Sequence, residues 1–279
     1  VSDWRRVVTT LAVGALVATA CTLLGLWQWH RHVARSAAVA AVQAAWDAPV
    51  LPLDALLTSD GRPADGSVWH RAQVSGTYLT AARTTPAATV LLRNRPVDGG
   101  RGFHVLEPLL VADGPWAGHV LLVDRGWLPG GRDAETVPPV PAPPVGRVDV
   151  VVRVRALEAR SSRSAPAGQV QSIDLASARA ASAADWSQPD VTAYGQAVTE
   201  DGAAPVGLGA LARPSTDLGP HLSYAFQWWV FATGSLVGAV VLLRRGDRAP
   251  APRRRGSAEQ EEDALLDAQE RAVAPPGDR

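Results

Sequence analysis

Two uncharged apolar stretches stand near the two ends of this chain, and an alternating pattern fills most of the space between them. Val7 to Trp27 runs 21 residues without Asp, Glu, Lys or Arg, and His221 to Leu243 runs 23. At ~1.5 Å per residue, a helix of about 20 apolar residues crosses the ~30 Å hydrocarbon core of a bilayer. Both stretches are therefore predicted to be membrane-spanning helices. A cleaved signal peptide would have a shorter apolar core, of about 7–15 residues. Ala18 to Cys21 faintly suggests a lipoprotein cleavage site, but Thr22 to Leu26 stay membrane-like, which favours a retained helix. Thr10, Gly14, Ala18 and Thr22 recur every four residues as a small-residue stripe that a partner helix could pack against. Gly234 and Gly238 form a GxxxG pair in the second span, which would permit close approach if the two helices pair.

After the first span, Gln28 to Gln43 is alanine-rich and continues the helix until Pro49 and Pro52 end it. The texture then changes to strands at residues 68–79, 89–95, 102–110, 118–128 and 147–157, separated by Gly, Pro and Asp clusters such as Asp98-Gly99-Gly100. Val137 to Pro144 is a proline-rich loop, Asp174 to Trp186 holds at most a short helix, and Val191 to Tyr194 adds a last strand. Strands without long helices between them argue an antiparallel sheet or small barrel. The fold class is thus a membrane protein with two transmembrane α-helices flanking an extracytoplasmic β-rich domain. The expected division is a leader at 1–6, spans at 7–27 and 221–243, the outer domain at 28–220 and a charged, mostly disordered tail at 244–279, in which Ser257 caps a brief helix to about Ala272. Arg244, Arg245, Arg248 and Arg253 to Arg255 follow the second span, so the positive-inside rule puts both termini in the cytoplasm.

Charge and cysteine content narrow the function. The 27 basic residues are all arginine and are matched by 27 acidic ones, so no global field draws the chain to nucleic acid. A single cysteine, Cys21, excludes disulfide frameworks, zinc clusters and CxxC redox chemistry. With no methionine either, a donor role toward soft Cu(I) is disfavoured. The chain has no nucleophile elbow, His-rich zinc motif, phosphate-binding glycine loop or EF-hand spacing. His70, His104 and His119 are scattered over separate strands; one of them could meet Glu107 or Asp124 in space, but a structural role is the first expectation. At Asp124 to Pro129, one reading pairs Arg125 with a carboxylate and packs Trp127 in the core. The other presents this turn to a partner or to lipid headgroups.

The outer edges of the two spans are unusually dressed. Leu26-Trp27-Gln28-Trp29-His30-Arg31 closes the first span, and Gln28 and Arg31 share a helix face. His221, Tyr224, Ala225 and Trp228 share a face at the start of the second. A neutral imidazole at this depth can ligate haem iron, and an arginine can hold haem propionates. His221 or His30, together with Arg31, meets those requirements; ordinary interfacial anchoring is the competing reading.

The chain resembles the Surfeit locus protein one family of cytochrome oxidase assembly factors. The resemblance rests on Leu24-Gly25-Leu26-Trp27-Gln28 with Arg31, and on Arg93-Asn94-Arg95 followed by Gly102-Phe103-His104-Val105-Leu106 and Pro108. It continues in Asp124-Arg125-Gly126-Trp127-Leu128-Pro129 and in His221-Leu222-Ser223-Tyr224-Ala225 with Trp228. It covers about residues 7–243, with Pro220 and Asp124 standing where the family often has asparagine. It implies a non-catalytic accessory of haem–copper oxidase biogenesis in the bacterial cytoplasmic membrane. Haem a would be bound through His221 and handed to, or stabilised in, the oxidase core subunit, with other assembly factors as further partners. Trp27, Gln28, Arg95, Arg125, Gly126, Trp127, Pro129, Tyr224 and Trp228 would be motif or interaction residues, and Arg31 a haem contact. The rival readings are a membrane-anchored envelope binding module and an anchored hydrolase; the absence of any recognisable nucleophile–base motif weighs against the latter.

Overall fold

The computed structural model describes residues 2–79, 88–97, 100–130, 137, 139–184 and 186–246, with 262, 264–266 and 269 of the tail. The turn expected at Asp98-Gly99 and most of the helix expected from Ser257 lie outside the described residues, although 262, 264–266 and 269 are helical. In chain order the elements are α1 (Ser2–Trp46), β1 (Leu51–Pro52), β2 (Arg71–Tyr78), β3 (Val90–Val97), β4 (Gly100–Val111), β5 (Val120–Pro129) and β6 (Arg147–Arg155). They continue with β7 (Gln169–Val170), α2 (Leu175–Ala181), β8 (Asp190–Glu200) and α3 (His221–Gly246). The chain divides into two units, Val1–His32 with Gly219–Arg279, and Val33–Leu218.

The first unit is a helix pair. Both α1 and α3 are long and apolar enough to span a bilayer. The large domain lies between the two spans in sequence, and both termini are cytoplasmic, the arginines after α3 marking that side. Gly14, Ala18, Cys21 and Gly25 of α1 recur at three- and four-residue steps, as do Ala225, Trp228, Ala232, Ser235 and Ala239 of α3. Ala18, Cys21 and Ala232 form a buried cluster with Trp228 packed on it. The helices approach closely where α1 has no side chain: a Cβ on Gly14 would sit 2.8 Å from the Ala239 Cβ, and one on Gly25 would sit 2.3 Å from the Trp229 indole nitrogen.

The expected small-residue stripes are thus partly displaced. Gly14 and Ala18 do face α3, but Thr22 is exposed and turns its hydroxyl back to the Ala18 carbonyl, 2.8 Å away. Gly234 and Gly238 have nothing within 4 Å of where a Cβ would be, so the GxxxG pair is not the contact between these helices. The aromatic and alanine face of α3 makes the contact instead, because the tryptophans carry far more packing surface than a glycine does.

The second unit is a small barrel. Its eight described strands form one sheet in the order β1-β2-β6-β8-β5-β4-β3-β7, and an additional pairing of β2 with β4 closes β2, β6, β8, β5 and β4 into a ring. The free edge of β2 is divided: Ala72 and Gln73 pair with β1, while Gly76 to Tyr78 pair with β4. Of the two architectures expected, the barrel is the one that forms. Pairing is mixed, since β8 lies antiparallel to β6 but parallel to β5. Parallel neighbours cannot be joined by a hairpin, and β6, β7 and α2 intervene between β5 and β8 in sequence.

Alternation decides what lies inside. Val148, Val150, Val152 and Val154 of β6 meet Ala72, Val74 and Tyr78 of β2 and Leu109, Leu121 and Val123 in the barrel core. The opposite faces of β3, β4 and β5 present Val90, Leu92, Leu106, Val120 and Leu122, which are covered by Val170, Ile173, Ala178 and Trp186. Asp174 caps α2 by accepting the Ser177 backbone N–H at 2.8 Å. Strand β2 begins three residues later than alternation suggests, because Trp69 holds a left-handed φ of 77°.

The C-terminal end of α1 belongs to this second unit and carries no basic residue in its last turn. Arginines on two strands supply what the helix end lacks. Arg153 donates to the Trp46 carbonyl at 2.9 Å and stacks 3.6 Å over the Trp46 ring, and Arg71 donates to the Ala48 carbonyl at 2.8 Å. Orphan carbonyls and the negative end of the helix dipole both favour cations there. Burial, then repulsion by Arg71, lowers the Arg153 pKa to about 10.

Candidate functional site

Both polar edges noted in the sequence fall in the helix-pair unit. His221 is the first residue of α3, where its backbone N–H has no helical acceptor. Pro220 precedes it, and the Pro220 carbonyl accepts from the Tyr224 N–H at 3.1 Å and from the Ser223 hydroxyl at 2.8 Å, which starts the helix at that point. The His221 imidazole turns toward α1, and its Nδ1 lies 2.9 Å from Gln28 Oε1. The Cδ2 and Nε2 edge lies beside Gly219, where a Cβ would come 3.6 and 3.7 Å from those two atoms.

Around this bond the other edge residues differ in exposure. Arg31 is exposed, lies 5.2 Å over the Trp27 ring, and forms no ion pair with a described carboxylate. Trp27 and Tyr224 are both exposed, whereas Trp228 packs against Ala18 and Cys21. Trp29 and Trp229 approach at 6.2 Å between ring centroids. His30 is exposed. The edge therefore combines an oriented, half-buried imidazole, a cation and several aromatic faces. These are the groups that can hold a planar, carboxylate-bearing, metal-containing ligand such as haem.

The remaining motif residues lie in the barrel unit, each engaged with partners there. Arg125 is 2% exposed and clasps Glu200 bidentately, Nε to Oε1 at 2.6 Å and Nη2 to Oε2 at 2.9 Å. Tyr78 donates to the same Glu200 Oε1 at 2.7 Å. Burial works against the Arg125 guanidinium, but Glu200 outweighs it and leaves its pKa raised. Burial, then Glu200, pushes the Tyr78 phenol up. Gly126 adopts a φ of 145° at a bulge and meets the Gly209 carbonyl so closely that a Cβ would lie 2.6 Å from it. Only glycine fits such a position without strain. Trp127 donates its indole N–H to the Ala210 carbonyl at 3.0 Å. Pro129 ends β5 opposite Gly102 and is exposed. Arg95 pairs with Glu158, its Nη2 2.6 Å from Oε1.

Two further charged groups in the barrel unit stand out. His104 finds Asp124, Nδ1 to Oδ2 at 2.8 Å, and burial raises the Asp124 pKa although the histidine opposes it. Glu107 is fully buried, accepts from the Thr89 hydroxyl at 2.5 Å, and is pushed up to about 7 by burial. Glu200 and Tyr78 were not singled out in the sequence. The available signal was a carboxylate at an inward position of an apolar strand, since Glu107 interrupts Phe103 to Val111 and Glu200 closes β8. Among the described residues no three His, Cys, Asp or Glu side chains gather to hold a metal ion.

Fold and edge together define a two-span membrane protein whose chain forms a small barrel in the sequence between its two spans, with a polar, aromatic rim on its helix pair. The SURF1 family model matches residues 15–233, and the chain belongs to the SURF1 family. Two SURF1-like proteins, one from Mycobacterium bovis and one from Mycobacterium tuberculosis, are each 31% identical to it over 253 residues, covering 87% of both chains. The family consists of non-catalytic accessory factors associated with cytochrome oxidase biogenesis, and this membrane protein shares that association.

Proposed function

We propose that this chain binds haem a at the rim of its helix pair during cytochrome oxidase assembly. In this reading it delivers the haem to the oxidase core subunit, or stabilises an early core-subunit intermediate, in company with other assembly factors. The observation that carries the reading is the His221 imidazole, which spends one nitrogen on Gln28 and keeps the other beside Gly219. His221 would hold the iron, and Arg31 would meet a propionate as a charge-assisted pair. When bound, haem a supplies a coordination centre, while the chain orients the ligand and shields it from water. The rim tryptophans keep this edge at the membrane surface, where aromatic side chains are favoured.

Purification from membranes of cells that make haem a tests this directly. Wild-type protein is expected to carry haem a absorbance and to bring down oxidase subunits. His221→Ala is expected to lose the haem while remaining in the membrane. Wild type carrying neither haem nor oxidase subunits would sink the reading, and equal haem in the variant would remove His221 as ligand.

A further inference from the structure

The bond between His221 and Gln28 says more than that two helices touch. An amide carbonyl oxygen has lone pairs and no proton, so the hydrogen in the 2.9 Å contact belongs to His221 Nδ1. That makes the neutral imidazole the Nδ1–H tautomer and places its lone pair on Nε2. A metal-ligating histidine almost always donates its other N–H to an acceptor, which fixes the tautomer, orients the ring and raises its basicity. Here the acceptor sits on the other helix, 193 residues away in sequence. The lone-pair edge is the one beside Gly219, where the neighbouring residue contributes no side chain.

We propose that Gln28 is the positioning residue of the iron ligand. It selects the His221 tautomer, holds the ring plane between α1 and α3, and sets how strongly Nε2 donates to iron. This rests on the haem reading above and extends it to a residue that does not touch the metal. A Gln28 that merely clasped two helices would affect their pairing, but neither the proton position on His221 nor the electronic properties of the bound haem.

The experiment uses the full chain in detergent as wild type, Gln28→Leu, Gln28→Glu and His221→Ala, each checked for membrane retention and thermal midpoint. Nitrogen-15 NMR of histidine-labelled, haem-free protein reads the tautomer, with the His221 signal identified by its absence in His221→Ala. Wild type is expected to show Nδ1–H, and Gln28→Leu to lose that preference. Haem a is then titrated into the haem-free proteins. Gln28→Leu is expected to bind about tenfold more weakly or worse. Gln28→Glu is expected to retain binding and to move the haem midpoint potential negative, because a carboxylate acceptor draws the proton and makes the ring a stronger donor. An Nε2–H tautomer in wild type overturns the assignment of Gln28. So do unchanged affinity and potential in both Gln28 variants when His221→Ala has lost haem, and in that case the haem reading stands. Wild type that takes up no haem a, or His221→Ala that binds it equally, overturns the haem reading and this proposal with it.

Discussion

The barrel and the helix pair each place a polar contact between elements distant in sequence, but they leave it in different states. In the barrel, Arg125, Glu200 and Tyr78 satisfy one another with two guanidinium bonds and a phenol donor, deep among apolar side chains. In the helix pair, the His221 ring is bonded at one nitrogen only among the described residues, at the half-exposed end of α3. A saturated buried network specifies structure, because losing any member leaves a charge or dipole without a partner. A half-saturated imidazole is oriented and still has a lone pair to offer. The difference separates Arg125, whose bonds are taken up inside the barrel, from His221, whose ring is oriented at a half-exposed edge and which the proposed function assigns to a ligand.

The strongest way to break this comparison is Arg125→Leu. Removing the cation leaves Glu200 buried with Tyr78 as its remaining hydrogen-bond donor, a loss of about 3–5 kcal/mol. That is a large share of an ordinary domain's stability. Thermal denaturation and limited proteolysis of the full chain in detergent should show the barrel unit opening at much lower temperature. A drop of less than about 1 kcal/mol would mean that the network is not structural.

Glu107→Gln sharpens the comparison within the barrel, because Glu107 Oε2 has no hydrogen-bond partner among the described residues. The Glu107 pKa lies at about 7 in the folded chain against an ordinary 4.5. Its favourable protonated state is therefore fully present below pH 4.5, and its contribution is lost as pH rises through about 7. At pH 8 the loss amounts to about 3 kcal/mol at most. The Gln variant should be more stable than wild type at pH 8 and should show a flatter stability profile between pH 4.5 and 7. Equal profiles would show that Glu107 reaches water or another partner.

Gly25→Leu addresses the helix pair. The new side chain meets the Trp229 indole, so the helices must separate or Trp229 must turn out, at a cost of about 1–3 kcal/mol. A shift in tryptophan emission and weaker cross-linking between cysteines introduced on α1 and α3 would report it. The barrel's melting should not change. Equal cross-linking would place the contact face elsewhere.

The fold was legible where its signal is periodic. The alternation of Arg147 to Leu157 located β6, and the charge-free run from His221 located α3. The short β1 and β7 are not legible in the sequence, because two residues carry no period. At the rim, the sequence placed Gln28 and His221 on the polar edges of their helices, while their bond depended on which faces meet. Helical spacing singled out Gly234 and Gly238 as contact residues, but tryptophan and alanine surface drew a different face of α3 to α1. Arg125 was expected either in an ion pair or on a partner-facing surface; Glu200, 75 residues away, took it into the interior.

Run length, alternation and flanking arginines determined by themselves the two spans, their direction and the strand-rich segment between them. These depend on local composition and on the periods of helix and strand, which a chain carries whatever it packs against. Only the tertiary structure decided that β2 closes onto β4, that Glu200 answers Arg125, and that Gln28 meets Nδ1 of His221. Those outcomes join residues far apart in sequence, and no local period encodes which distant face or charge will be within 3 Å.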